Sequence, residues 1–288
     1  MDIDGYYGKV KRGYLKEDFH FFKLRDQLKN DFELHYHDFD KIIIFISGDV
    51  TYVIEGKSYK LKPWDILLVN RNDLHLPIIS DTEPYERIIL WLNPVFLEGH
   101  NRNGCNLLNC FQLAKESKFS LIRASRSDLN PLMQNLLELE NSVHDDSFGS
   151  DILKNALFIQ AMVKINRLFL GLDRNKSIKD IKYDPRIEEI LGFINNNLDS
   201  DLSINRLAAN FFLNRYYMMH LFKKETGSTL SCYIQQKRAL KASDLLRSKI
   251  SAGEVCALCG FEDYSTFVRT FKKEFKLSPT QYLKSQII

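Results

Sequence analysis

The chain has 288 residues, 44% hydrophobic and 27% charged, an ordinary balance for globular protein and enough length for about two domains. No run approaches the roughly 18 uncharged apolar residues of a membrane span, and the opening MDIDGYYGKVKRGYLKEDF lacks the apolar core of a secretory signal, so a cytoplasmic protein with no membrane partner is expected. The formal charge of +3 is uneven: residues 1–184 hold 25 Lys and Arg against 27 Asp and Glu, residues 185–288 hold 15 against 10, which puts the basic end where a polyanion partner would need it.

Phe19, Phe21 and Phe22 are apolar enough to pack against whatever follows them. From Phe32 to Leu92 short apolar strands alternate with turns: Ile42–Ser47, Val50–Glu55, Ser58–Lys62, Ile66–Asn70, Leu74–Ile79 and Arg87–Leu92. Gly48-Asp49 and Gly56-Lys57 stand where hairpins need positive φ. Strands at this spacing predict a small barrel or sandwich whose interior holds one small molecule.

Glu33, His35 and His37 alternate, so an extended strand projects all three to one face, and His75 can join them across the sheet. This pattern resembles the cupin fold, whose His-x-His, nearby Glu and later His bind a metal in its enzymes. Here Lys41 stands about where the ligating Glu is expected, and an ammonium repels a divalent ion. Trp64 also replaces the usual Gly before Asp65. The expectation is therefore a pocket without metal or cofactor, using His35, His37, Tyr52, His75, Arg87 and Trp91 for hydrogen bonds and ring stacking. Simple filling of the interior by these side chains is the competing reading.

Leu129–Val143 and Asp151–Leu170 repeat apolar residues at helical spacing, the second with a stripe of Ile152, Ala156, Ile159, Val163 and the run Leu168–Leu170, and with Lys154, Lys164 and Arg167 elsewhere on the helix. Such helices either cover the barrel or pair with a second subunit. The charged run beginning Asp173-Arg-Asn-Lys reads as a linker. The expected organisation is α+β: an N-terminal β-barrel with flanking helices over 1–172, a linker over 173–184, and an all-α domain over 185–288.

The all-α part contains an internal repeat offset by 49 residues: Asn214 to Glu225 is answered by Asp263 to Glu274, with Phe222-Lys-Lys-Glu on Phe271-Lys-Lys-Glu and Tyr233 on Tyr282. Asn214 and Asp263 are good helix caps, and each follows a short helix and a turn. Two helix-turn-helix units result, with second helices Arg215–Thr226 and Tyr264–Phe275 joined by a longer helix from Thr229. Met218, Leu221 and Phe222 face in on the first, and Phe267, Val268 and Phe271 on the second. Ala252-Gly253 is expected to leave the helix at Glu254–Cys259 short or loose, since Gly costs about 1 kcal/mol in a helix. Five cysteines, an odd number, argue against a disulfide framework; Cys256-x-x-Cys259, Cys105 and Cys110 read as core packing.

Leu207-Ala208, Leu221-Phe-Lys-Lys-Glu-Thr-Gly227, Arg238 through Ala242, Leu245-Leu246, Cys259-Gly-Phe261 with Ser265, Phe267, Arg269 and Phe271, and Ser278-Pro279 with Tyr282 resemble the AraC-type transcription regulators over about residues 187–284. The cupin-like domain upstream is similar to the sensor of that family's sugar-responsive branch. The resemblance implies double-stranded DNA, RNA polymerase and a small effector as partners of a homodimeric, non-enzymatic regulator, an activator by expectation. It places Tyr216, Met219, His220, Tyr264, Ser265, Thr266 and Arg269 at base edges. Lys223, Lys272 and Lys273 suit phosphate or remain solvated, and the Tyr, Trp, His and Arg of the sensor suit a carbohydrate. A metal-dependent cupin enzyme with an appended nucleic-acid-binding domain, and a regulator whose barrel only dimerises, are the alternatives.

Overall fold

A computed structural model describes residues 15, 17–26, 32, 34–80, 83–172, 181–182, 184–248 and 250–285. They form two compact units divided after Lys182. Glu33 and nearly all of the 173–184 linker lie outside the described residues.

The first unit is sheet-rich. Its strands are β1 (Phe19–Asp26), β2 (Asp40–Ser47), β3 (Val50–Ile54), β4 (Lys57–Lys60), β5 (Ile66–Val69), β6 (His75–Ile79), β7 (Tyr85–Leu92), β8 (Leu121–Ile122) and β9 (Ile181–Lys182). They build a five-stranded sheet, β1-β7-β2-β5-β8, and a four-stranded one, β6-β3-β4-β9. Of the barrel or sandwich expected, the strands build these two sheets. A register shift between Phe45 and Ser47 bends the end of β2, and the turn at Gly48 (φ +119°) sends β3 into the second sheet. Both sheets nevertheless share one core, in which Ile42, Ile44 and Leu90 meet Val50, Tyr52 and Ile54.

The segment ahead of residue 32, which the strand pattern left unassigned, supplies β1. It runs antiparallel to β7 from Phe19 opposite Leu92 to Asp26 opposite Tyr85. Phe19 stacks on Phe158 with ring centroids 4.0 Å apart, so the N-terminal aromatics do pack on the domain. Trp64 adopts φ +72°, the left-handed conformation that explains why a glycine is at home before Asp65. Asp65, buried at the same turn, accepts from Lys62 N at 2.8 Å and pairs with Arg123, whose Nε lies 2.8 Å from Oδ1.

Helices α1 (Pro94–Gly99), α2 (Asn109–Ser117), α3 (Arg126–Ser142) and α4 (Ser150–Leu170) complete this unit. On α4 the buried face is Leu157, Phe158, Ala161, Met162, Ile165 and Phe169. Of the expected stripe, Phe169 is buried and Ile159, Val163 and Leu168 pack half-buried against the same core, while Ile152, 78% exposed, and Ala156 stay outside it. The centre of the buried face lies at Phe158, whose ring stacks on Phe19. Cys105 is exposed rather than packed, while Cys110 is buried.

The second unit is helical: α5 (Pro185–Asn196), α6 (Ile204–Asn210), α7 (Arg215–Thr226), α8 (Leu230–Arg247), α9 (Ala252–Leu258), α10 (Tyr264–Phe275) and α11 (Pro279–Ser285). Caps set the boundaries. Ser203 accepts from Arg206 N, Asn214 from Tyr216 N and Tyr217 N, Thr229 from Cys232 N, and Asp263 from Thr266 N. Contrary to expectation, α9 includes Ala252 and Gly253. Ser251 and Glu254 form a reciprocal capping box whose two hydrogen bonds offset the glycine.

The 49-residue repeat is carried into the packing. Phe222 meets Tyr233 edge-on with centroids 5.5 Å apart, and Phe271 meets Tyr282 in the same manner at 5.3 Å. Cys256 and Cys259 pack with Val255, Phe261, Phe267 and Phe271, and burial pushes the Cys259 thiol up to about 11, so it is an inert apolar group.

Candidate functional site

The basic end presents the second helices of two helix-turn-helix units. On α7, Met218, Leu221 and Phe222 are buried, while Arg215, Tyr216, His220 and Lys223 are exposed and Met219 is half-buried. Arg215 donates to the Tyr216 hydroxyl at 2.9 Å and lies 4.8 Å from its ring centroid, so this pair moves as one surface group. On α10, Phe267 and Phe271 are buried, whereas Tyr264, Ser265, Val268, Arg269, Lys272 and Lys273 share one open face. Val268 was expected inside; at 100° per residue it falls at the seam between the two faces and is half-buried. Thr270 and Glu274 are the buried polar members of the inner face that apolar periodicity could not reveal.

Thr266 is bound from both sides. Its hydroxyl donates to Asp263 Oδ2 at 2.8 Å and accepts from Arg269 Nη2 at 3.5 Å. The cap that starts α10 therefore also orients the arginine that leaves it. Hydrogen bonds from Thr266 hold the Asp263 carboxyl below the usual carboxylate range. The two units are tied by α8, 18 residues and about 27 Å long. From it Arg238 Nε donates to Leu198 O at 2.9 Å and Nη2 to Ser200 O at 2.7 Å. Those carbonyls belong to the loop before α6, and Gly260, in the turn before α10, packs against the same loop. The first turn achieves its left-handed residue with Phe212 (φ +53°), 95% exposed, where the second uses Gly260 (φ +72°).

In the sheet unit the candidate sensor residues converge only in part. His35 and His75 bridge through their backbones, and the rings of His35, His37 and His75 lie with centroids 4.3–5.2 Å apart. Tyr52 stacks towards His75 at 6.0 Å, and Trp91 lies 6.0 Å from His37 and 4.7 Å from Phe39. Phe39 and Phe22 around Trp91 were not anticipated, since nothing in their spacing marks them as neighbours of the histidines. Arg87 is engaged elsewhere: its Nη1 pairs with Asp26 at 2.7 Å and its guanidinium lies over the Tyr85 ring at 4.0 Å.

Lys41 is the centre of the cluster. On β2 it lies between Trp91 of β7 and Val69 of β5, only 5% exposed. Its Nζ is 2.9 Å from His75 Nε2 and 3.4 Å from His37 Nε2. His75 Nδ1 faces the Asp73 carbonyl at 2.8 Å and donates to it, which leaves Nε2 as the acceptor for Lys41. Burial, and then the Arg87 charge, lower the Lys41 pKa from 10.5 to about 7. Burial, and then the Lys41 charge, hold His37 and His75 well below the ordinary imidazole value.

Ligand atoms of His35, His37 and His75 lie within 4.8 Å of one another, a spacing a metal ion could bridge. The residues do not fit one, because Lys41 Nζ already contacts the nitrogens of His37 and His75 that face it.

A sheet-rich domain with an enclosed polar cluster, joined to tandem helix-turn-helix units with cationic outer faces, defines a DNA-binding regulator with its own sensor domain. Residues 24–162 match the model of an AraC-like ligand binding domain, and residues 207–285 that of a helix-turn-helix domain. The chain belongs to the AraC-type transcription regulators. It is 25% identical over 254 residues to the HTH-type transcriptional activator RhaS of Escherichia coli, which covers 86% of each chain. Among solved structures, the DNA-binding domain of AdpA in complex with a target DNA is 26% identical, covering 35% of this chain and 92% of that one with a TM-score of 0.34. ToxT of Vibrio cholerae is 17% identical, covering 93% and 98%, with a TM-score of 0.35. No described helix is long and apolar enough to cross a membrane.

Proposed function

We propose that this regulator is a homodimeric, cytoplasmic activator that binds a carbohydrate in its sheet domain and recruits RNA polymerase at its DNA site. The observation that carries the DNA reading is the open face of α10, where Arg269 stands among Tyr264, Ser265, Lys272 and Lys273. An arginine fork can bond the acceptor edge of guanine bidentately, and the cap network through Thr266 aims this one. On α7, Tyr216 and Met219 suit thymine methyls and His220 a guanine acceptor, while Lys223 joins Lys272 and Lys273 at phosphates. Arg269→Ala is expected to cost about 1–3 kcal/mol at the preferred site and to relax sequence preference there. Binding to a randomised-sequence library checks this; equal weakening on every sequence would reduce Arg269 to a phosphate contact.

Rings and polar groups side by side at Tyr52, His37, His75 and Trp91 support a carbohydrate, whose faces stack and whose hydroxyls need partners. Each of these is buried, so the effector has to open the cluster, and that coupling supplies two states for it to bias. A thermal melt against a sugar panel tests this directly. A true effector at a hundredfold excess over its Kd adds about 2.7 kcal/mol, and silence across the panel would leave a domain that only dimerises.

The dimer reading is supported by Phe148, Ile152 and Leu153, three large apolar side chains exposed at the start of α4. Ile152→Glu is expected to shift the mass seen by light scattering from dimer to monomer at micromolar concentration.

A further inference from the structure

We propose that the Lys41 amino group stands in for the divalent cation of a three-histidine site, and that removing it turns the sheet domain into a metal-binding one. Three observations converge. The ligand atoms of His35, His37 and His75 are within 4.8 Å of one another. Imidazoles on β6 and on the segment before β2 are not brought that close by apolar packing alone, because each carries a polar edge that needs a partner when buried.

The second observation is where the partner comes from. Lys41 Nζ bonds His75 Nε2 at 2.9 Å and approaches His37 Nε2 at 3.4 Å. The acceptor nitrogen of His75 is turned inward by its other nitrogen, which donates to the Asp73 carbonyl. This is the arrangement by which a carbonyl orients a metal-binding imidazole, here aimed at an amine. The third is that His37 Nδ1 is buried with no hydrogen-bond partner among the described residues, which leaves the Lys41 contact at Nε2 as the ring's polar contact there.

A lysine in this position fills the space between the imidazoles whatever the metal supply. A four-carbon stem rooted on β2 beside Trp91 delivers the amino group from within the chain. Among the described residues the cluster contains no carboxylate, so the ion it would accept in place of Lys41 is one that suits three neutral imidazoles, such as Zn(II), Co(II) or Ni(II), rather than Mg(II) or Ca(II).

The test is a Co(II) titration of the full-length chain, followed by visible absorption and calorimetry. The wild type is expected to show no saturable binding through this cluster. Lys41→Ala is expected to bind one Co(II) per chain at least a hundredfold more tightly than the wild type. The double variant Lys41→Ala with His75→Ala is expected to lose it. Lys41→Met, which also removes the amino group but leaves much of the bulk, is expected to gain Co(II) affinity over the wild type by less than Lys41→Ala. One Co(II) on the wild type that disappears in His75→Ala would overturn the proposal, as would a folded Lys41→Ala with no gain in affinity. Should Lys41→Ala not fold by itself, refolding in Co(II) decides: rescue supports the stand-in, and failure of rescue overturns it.

Discussion

Gly260→Ala is expected to destabilise the helical domain by roughly 3 kcal/mol or more and to abolish DNA binding at ordinary temperatures. Two costs add. Gly260 sits at φ +72°, where a residue with a Cβ pays about 1–2 kcal/mol. An added Cβ would also stand 2.4 Å from the Leu198 carbonyl oxygen and 2.9 Å from the Asp199 carbonyl carbon. Those are backbone atoms, so they cannot swing aside as a flexible side chain would. Relief requires moving the loop before α6 away from the turn before α10, and Arg238 is anchored to that loop at Leu198 and Ser200. The substitution therefore acts on the joint between the two helix-turn-helix units. Both tryptophans, Trp64 and Trp91, lie in the sheet domain, so their fluorescence follows that domain while helical circular dichroism weights the other. In urea the dichroism transition should move to lower denaturant and the fluorescence transition should stay. A loss under about 0.5 kcal/mol, the range of an ordinary surface change, would show that the joint is slack.

The second large effect is on pH. Lys41 has its pKa lowered from 10.5 to about 7 in the folded chain. Between those values the unfolded chain holds a proton that the folded chain does not, so stability rises with pH across that window and the penalty is fully present below it. His37 and His75, held well below 6.5, act in the same direction on the acid side: as pH falls through 6.5 the unfolded chain takes up protons that the folded cluster refuses. Among the described residues, the groups around Lys41 are His37, His75 and Arg87, and none is a carboxylate that would reverse the sign. The sheet domain should gain roughly 3 kcal/mol between pH 7 and 9.5, as an order of magnitude. Lys41→Met should flatten that climb while leaving the loss below 6.5. Urea titrations by tryptophan fluorescence at a series of pH values measure both limbs, and parallel slopes for wild type and Lys41→Met would remove Lys41 as the cause.

Much of the domain content was legible in the residues, because it is written in local periods. Strands two residues in period and helices bounded by Asn214, Thr229 and Asp263 need no distant partner to declare themselves, and the observed α7 and α10 have the expected spans Arg215–Thr226 and Tyr264–Phe275. The inner faces of both recognition helices followed from the same spacing, apart from Val268 at the seam. The histidine cluster was legible too, since alternation at His35 and His37 sets a face and the turn after Val69 returns His75 to it.

What only the tertiary structure decided was which of several locally equivalent choices is used. On α4 the apolar spacing gives a face but not its centre, which the stacking of Phe158 on Phe19 fixes. A sequence with alternating strands closes into a barrel or divides into two sheets with equal ease, and the irregularity between Phe45 and Ser47 divides it. Arg87 reads as a free binding group until β1 brings Asp26 within 2.7 Å of it. Gly260 reads as a turn residue until the Leu198 carbonyl closes over its missing Cβ. The residues by themselves determined the central strands, the long helices, the two helix-turn-helix units and the family, because caps, periods and motif spacings act over a few residues. Partner choice depends on long-range contacts between groups far apart in the chain, and only the folded arrangement determines those.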